Sequence, residues 1–281
     1  MKLALKIKFA GGLGNQLFQY ATARSICLKN RIPFLFFDTD DYLNESQGRT
    51  FCLMQLNVKG NLVKSRHGKN IFKKHTKLNR LAAAVKLHNH IEENGFVLQN
   101  IKTSSGVFTT LKGYWQSADY FNDIRSLLLD ELLPLKIPAY PAWVAQVETV
   151  AIHVRRTDYL NEHRYGFLGA AYYHAAIKYL QSRIQNPLFV FFSDDMEWCR
   201  QEFTKQNNLF CEEKNWDADW LQLHLMSKCK HQVIANSSFS WWGAWLNNNP
   251  DKMVVRPLNP FREKVLLYES HYPQEWVAIE N

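Results

Sequence analysis

In the second half of this chain, short apolar runs rich in β-branched and aromatic residues alternate with stretches of helical pattern. That alternation limits the fold more than any other feature. The runs are residues 150–154, 188–192, 231–235 and 253–255, and helices are expected at 170–183, 195–206, 216–228 and 238–248. A repeated strand and helix order needs crossover connections, which lay the strands parallel and put helices on both faces of one sheet. The expectation is a doubly wound α/β sheet. In such sheets ligands bind beyond the carboxyl ends of the strands, so the residues just after each run are the candidates for chemistry.

The first half opens in the same way. Residues 3–9 read as a strand, Gly11 and Gly12 as a turn, 13–29 as a helix and 34–37 as a second strand closed by Asp38, a β-α-β start that implies a second parallel sheet. Residues 40–112 carry no readable pattern. A helix is expected over 117–133, capped by Ser117 or Asp119. Pro134, Pro138 and Pro141 then stop it and extend the chain. The expected boundary therefore separates an N-terminal domain, 1–138, from a C-terminal domain, 139–281.

The 281 residues are 46% hydrophobic and 21% charged, which excludes a disordered or fibrous chain. Cys27, Cys52, Cys199, Cys211 and Cys229 are odd in number and form no C-x-x-C pair, the pattern of reduced thiols in a cytosolic compartment. Lys2, Lys6 and Lys8 interrupt the apolar start, so it reads as a strand and not as a signal peptide. No window reaches the roughly 18 to 20 apolar residues of a membrane span. The net charge of +8 favours anionic ligands or an acidic membrane surface. Basic residues concentrate between Lys59 and Lys86, as a solvated face or as a patch for a membrane surface or an acidic acceptor.

The polar candidates fall after the runs. Arg155 and Arg156 follow 150–154, with Asp158 close behind. Arginine presents a planar fork of donors that matches phosphate oxygens and stays charged at any physiological pH, so a diphosphate is a natural partner. The plainer reading pairs one arginine with Asp158. Strand alternation would turn the two arginines to opposite sides, one toward a ligand and one into the domain. After 188–192 comes Ser193-Asp194-Asp195, where one acid is expected to cap a helix and the other to accept hydrogen bonds from a nucleotide base or ribose. After 231–235 come Asn236, Ser237, Ser238 and Phe239, leading into a helix whose free amides and positive end suit a phosphate. Trp241, Trp242 and Trp245 are expected to bury that helix.

The turn Gly11-Gly12-Leu13-Gly14-Asn15-Gln16 is no dinucleotide fingerprint, because Leu17 stands where a third glycine belongs. Its interest lies in Asn15 and Gln16, neutral donor-acceptor side chains at the tip where substrate would sit. Asp217-Ala218-Asp219 spells the D-x-D of metal-bound nucleotides, yet it opens a helix, where capping is expected. His88 and His90 lack the cysteine or carboxylate company of a metal site. No metal is expected.

Gly11-Gly12-Leu13-Gly14-Asn15-Gln16-Leu17-Phe18-Gln19-Tyr20-Ala21, Gly113-Tyr114-Trp115-Gln116, the segment from His153 to Tyr159, Phe192-Ser193-Asp194-Asp195 and the run from Ile234 to Leu246 span nearly the whole chain. In order and spacing they resemble the bacterial-type α-1,2-fucosyltransferases of glycosyltransferase family 11. The arginine motif alone is shared with α-1,6- and protein O-fucosyltransferases, so it indicates fucosyl transfer; the first and last motifs supply the α-1,2 linkage. What the resemblance implies is a GT-B-like α/β enzyme, two Rossmann-like domains facing each other across a cleft. It would transfer L-fucose from GDP-fucose, with inversion and without metal or other cofactor, to the 2-hydroxyl of a terminal galactose in a free or lipid-linked glycan.

The same resemblance implies roles for residues. Arg155 would contact the diphosphate and His153 would lie by the guanosine; of the two acids that follow the motif, Asp158 is read as bracing the arginines and Glu162 as the base, with the leaving phosphate as the alternative base. Arg156, Asp194, Asp195, Asn236, Ser237, Ser238 and Phe239 would complete the donor site, while Gly12, Gly14, Asn15 and Gln16 would reach it from the N-terminal domain. Thr157 stands where many members have glycine, and Gln222 where many have an acid, with Asp219 one turn earlier as a substitute. The enzyme is expected in the cytoplasm, at most peripheral to the inner face of the membrane. Two other classes compete: a metal-dependent hexosyltransferase using Asp217 and Asp219, and a polyanion binder using the +8 charge, against which the lack of a nucleic-acid module argues.

Overall fold

The computed structural model describes residues 4–43, 49–63, 88–101, 107–145, 148–160, 166–204, 207–261 and 267–281. The chain divides into two compact units, Met1–Leu133 with Leu267–His271, and Pro134–Leu266 with Tyr272–Asn281.

The first unit is built on a parallel sheet of β1 (Ala4–Lys8), β2 (Phe34–Asp38), β3 (Asn61–Leu62), β4 (His88–Glu92) and β5 (Phe108–Lys112), in the order β3-β2-β1-β5-β4. Among the described residues its helices are α1 (Leu13–Lys29), α2 (Asp40–Leu43) and α3 (Arg125–Glu131). The chain runs outward from β1 to β3 and then fills the other side, so the strand order reverses between β1 and β5. Such a reversal is where a ligand crevice opens in an α/β sheet. Helix α1 is buried almost all round, so its polar side chains need partners inside the protein. Gln16 and Gln19 find them on backbone groups. At the far end, Glu131 takes the fork of Arg24 at 2.8 Å and the hydroxyl of Tyr20 at 2.5 Å, fastening α3 to α1.

The helix expected over 117–133 is broken. Ser117 does cap, accepting from the Asp119 amide at 3.2 Å, but two single 3₁₀ turns, Ala118–Tyr120 and Asn122–Ile124, precede α3. Phe121 sits between them with φ −144° and ψ 4°, outside the helical region, its ring buried 6.0 Å from that of Phe18. Packing of that ring outweighs helical continuity.

The second unit has the doubly wound sheet that the alternation implies: β6 (Thr149–Val154), β7 (Leu188–Ser193), β8 (Asn208–Phe210), β9 (His231–Val233), β10 (Val254–Pro257) and β11 (Val277–Ile279), all parallel, in the order β11-β10-β9-β6-β7-β8. Helices α4 (Ala170–Gln181), α5 (Met196–Glu202), α6 (Asp219–Lys228) and α7 (Ser238–Leu246) connect them. Every residue of β6 is buried, and alternation deals them to two cores. Val150, Ile152 and Val154 join Tyr172, Tyr173 and Phe191; Ala151 joins Val190, Phe192, Leu225 and Met226. Trp241, Trp242 and Trp245 are buried on α7, and all five cysteines are free thiols in the interior. Here the order reverses between β6 and β9.

Candidate active site

The carboxyl end of β6 carries the arginine pair at that reversal. Arg155 donates to Asp158 at 2.7 Å and lies 3.2 Å from Asp194, so its fork spans two carboxylates. Burial disfavours its charge, but the bond to Asp158 and the field of Asp194 outweigh it and raise its pKa above an already high value. Arg156 turns the other way. Its Nε meets Asp195 at 3.1 Å, and its guanidinium lies over Trp198 at 4.1 Å and Phe167 at 5.6 Å from the ring centres. Arg156 is therefore fixed into the unit by ion pairing and cation–π contact, while Arg155 holds the outward side.

The two aspartates after β7 are both engaged. Asp195 caps α5 through the Trp198 amide at 3.1 Å while pairing Arg156. Asp194 accepts from the backbone amides of Arg156 at 2.9 Å and Thr157 at 3.2 Å, and from the Thr157 hydroxyl at 2.5 Å, besides facing Arg155. The sequence left one acid for the ligand, whereas the geometry gives Asp194 the work of clamping the turn that follows β6. Thr157 thereby has a physical role that a glycine could not fill.

His153, on β6, is buried, with its ring 5.3 Å from Phe239 and its pKa pushed down to about 3 by burial and by the charge of Arg155. It is a neutral imidazole. Its Nδ1 has no partner among the described residues. After β9, buried Asn236 donates to the carbonyls of Gly166 at 3.1 Å and Pro260 at 2.7 Å, tying two loops together. Ser237 caps α7 and takes the Phe239 amide at 3.2 Å, and Ser238 opens that helix.

In the first unit, Gly11 has φ +79°, and a side-chain carbon there would meet the Asn15 amide at 2.5 Å. Gly12 precedes α1 as its cap, and Gly14 is buried in the first turn. Gln16 is buried too and its amide group is consumed by the Gly11 and Thr50 carbonyls and the Cys52 amide. Asn15 stays half-buried at the tip, accepting from Gln116 at 2.8 Å.

Glu162 and the basic residues 64–86 lie outside the described residues. Asp217 and Asp219 were expected to cap a helix by side chain, but Ala218 holds the N-cap of α6 and no side chain bonds there; Asp219 lies in the first turn, where its charge suits the helix dipole. His88 bonds Thr110 across the sheet at 3.0 Å. Among the described residues no group of three or more His, Cys, Asp or Glu could hold a metal ion, and no helix is long and apolar enough to cross a membrane. Trp198 and Phe167 beneath Arg156, and the clamping role of Asp194, went unread because no local pattern marks contacts between residues this far apart in the chain.

The family model described as glycosyl transferase family 11 matches residues 2–280. The chain is 31% identical over 292 residues to an alpha-1,2-colitosyltransferase of Escherichia coli, covering 97% of this chain and 98% of that one. It is 33% identical over 278 residues to the O-antigen biosynthesis glycosyltransferase WbnK of Escherichia coli, covering 88% and 92%. Among solved structures it is similar to the fucosyltransferase NodZ from Bradyrhizobium, with a TM-score of 0.52 at 11% identity over 86% of this chain and 93% of that one, a likeness of fold alone. Two parallel sheets, each flanked by helices, place the chain in the GT-B fold class. With Arg155, Arg156 and Asp194 assembled at the reversal of its second sheet, the chain belongs to glycosyl transferase family 11 and is a glycosyltransferase of the α-1,2-fucosyltransferase type.

Proposed function

We propose that the enzyme transfers L-fucose from GDP-fucose, with inversion and without a metal, to the 2-hydroxyl of a terminal galactose in a glycan. The observation that carries this reading is the fork of Arg155, spread between Asp158 and Asp194 at the point where the sheet order reverses. The acceptor hydroxyl oxygen attacks the anomeric carbon and gives its proton to Glu162 or to the departing phosphate, while the bond from that carbon to the diphosphate breaks and its electron pair leaves with GDP. Arg155 then neutralises the growing charge on the phosphate oxygens. Asp158, the more exposed of its two partners, is the one a diphosphate displaces. Arg156, Asp194 and Asp195 hold the turn rigid so that the fork needs no reorganisation during transfer. His153 and Phe239 form the wall for the guanosine, and the N-terminal end of α7, its Phe239 amide already taken by Ser237, offers its positive dipole end to the phosphates.

The full-length similarity to an alpha-1,2-colitosyltransferase favours one second reading, in which the donor is GDP-colitose, whose sugar is fucose without its 3-hydroxyl. A screen of both donors against galactose-terminated acceptors, free and lipid-linked, with linkage assignment of the product and parallel reactions in EDTA, tests the proposal. An α-1,2-fucosyl galactoside formed at an unchanged rate in EDTA is the expected result. Exclusive use of GDP-colitose, a different linkage, or activity restored only by manganese overturns the corresponding part.

A further inference from the structure

The strand order of the first sheet reverses between β1 and β5, so the turn after β5, Gly113-Tyr114-Trp115-Gln116, opens beside the glycine turn after β1. That turn is strained. Gly113 has φ +147° and Trp115, a bulky residue, has φ +59° with its ring fully buried. Such backbone conformations persist only where surrounding structure enforces them.

The enforcement comes from both sides. Glu93, just beyond β4, accepts from the backbone amides of Tyr114 at 2.6 Å and Trp115 at 2.9 Å and from the Tyr268 hydroxyl. From α1, Gln19 donates to the Gly113 carbonyl at 3.0 Å. The returning segment Leu267–His271 adds His271 on the Gln116 carbonyl at 2.8 Å and Ser270 on Ser117 at 3.0 Å. The product of all this is the Gln116 side chain, aimed at Asn15 and donating to its Oδ1 at 2.8 Å. One bond leaves most of the two side chains' capacity unused: the Asn15 Nδ2 donors, the Gln116 side-chain Oε1 and one Gln116 Nε2–H. A paired set of donors and acceptors at a half-buried site matches a sugar hydroxyl, which both gives and takes a hydrogen bond.

We infer that Glu93 is a positioning residue for transfer: it enforces the left-handed turn that presents Gln116 to Asn15, and the two amides together bind a hydroxyl of the reacting sugars. The inference rests on the reading of this chain as a sugar transferase whose glycine turn serves the reaction. Gln116 closes the Gly113-Tyr114-Trp115-Gln116 motif, whereas no local pattern distinguishes Glu93.

The test is a double-variant cycle, with kcat and KM measured on whichever of GDP-fucose and GDP-colitose the wild-type enzyme uses. Glu93→Gln and Gln116→Ala are each expected to lower kcat/KM at least tenfold. The double variant is expected to be no more than about threefold worse than the poorer single one, because both remove the same site. GDP affinity, read by titration, stays within twofold of wild type in all three. Losses that multiply, or a folded Glu93→Gln enzyme within threefold of wild type, overturn the inference. If Glu93→Gln does not fold, Tyr268→Phe replaces it: a several-fold loss that disappears in the Gln116→Ala background supports the role, and an equal loss in both backgrounds defeats it. A product without fucose would refute the donor assignment while leaving this comparison intact.

Discussion

Arg155 and Arg156 are neighbours in sequence and opposites in environment. One guanidinium is shared between two carboxylates; the other is sandwiched by an ion pair and two rings. A lysine at 155 keeps the charge but can address only one of the two carboxylates in plane. Arg155→Lys is therefore expected to fold normally and to lose on the order of 100-fold in turnover; steady-state rates above a tenth of wild type would remove Arg155 from the chemistry. The buried histidines make a second prediction. The pKa of His153 is lowered to about 3, and burial with the charge of Lys228 lowers that of His224 to about 4, from an ordinary value of 6.5. Between these limits the unfolded chain binds protons that the folded one refuses, so stability is complete above pH 6.5 and falls as the pH drops toward 3. Denaturant midpoints measured from pH 7 to 4 should decline, and the decline should be shallower in His153→Asn. The identity of the arginine motif was legible in the sequence because both cations and their acid lie within four residues. The ring beneath Arg156 was not, because Trp198 is brought there by the β6 and β7 pairing.

Among the elements, those buried on both faces were the easiest to read. Strands β6 and β7 are continuous apolar runs of six residues, paired with each other from end to end, and they lie close to where the sequence puts them. Strands β8 and β11 have three residues each, and β3 has two, lengths at which no periodicity can accumulate. Strand β4 carries its polar residues in an edge position, where alternate residues, His88, His90 and Glu92, are exposed to water. Helix α5 offers a direct test of its start, because Asp195 both caps it and pairs Arg156. Asp195→Asn should retain the cap and lose the pair; Asp195→Ala should lose both and cost about 1 kcal/mol more. Urea denaturation of the two variants separates the contributions, and equal midpoints would mean the cap contributes nothing.

For the molecule as a whole, two parallel-sheet units were readable from two β-α beginnings and a proline-rich connection, and the GT-B class from the family resemblance, but the composition of each unit was not. A cut at 138 leaves Tyr268, Ser270 and His271 on the wrong fragment, although their partners Glu93, Ser117 and Gln116 all belong to the first unit. A fragment of residues 1–138 is accordingly expected to unfold at a lower temperature than a version carrying 267–271 on a flexible linker, as followed by near-ultraviolet circular dichroism; coincident melting curves would show that the segment adds no stability. The same five residues also impose an order in time. During synthesis the first unit emerges long before them and must wait, with its strained turn half supported, until residues 134–266 have been added. Chains cut short before residue 267, however complete their first sheet, lack the fastening that finishes it, so a nascent chain gains this part of its working shape only after most of the second unit has been made.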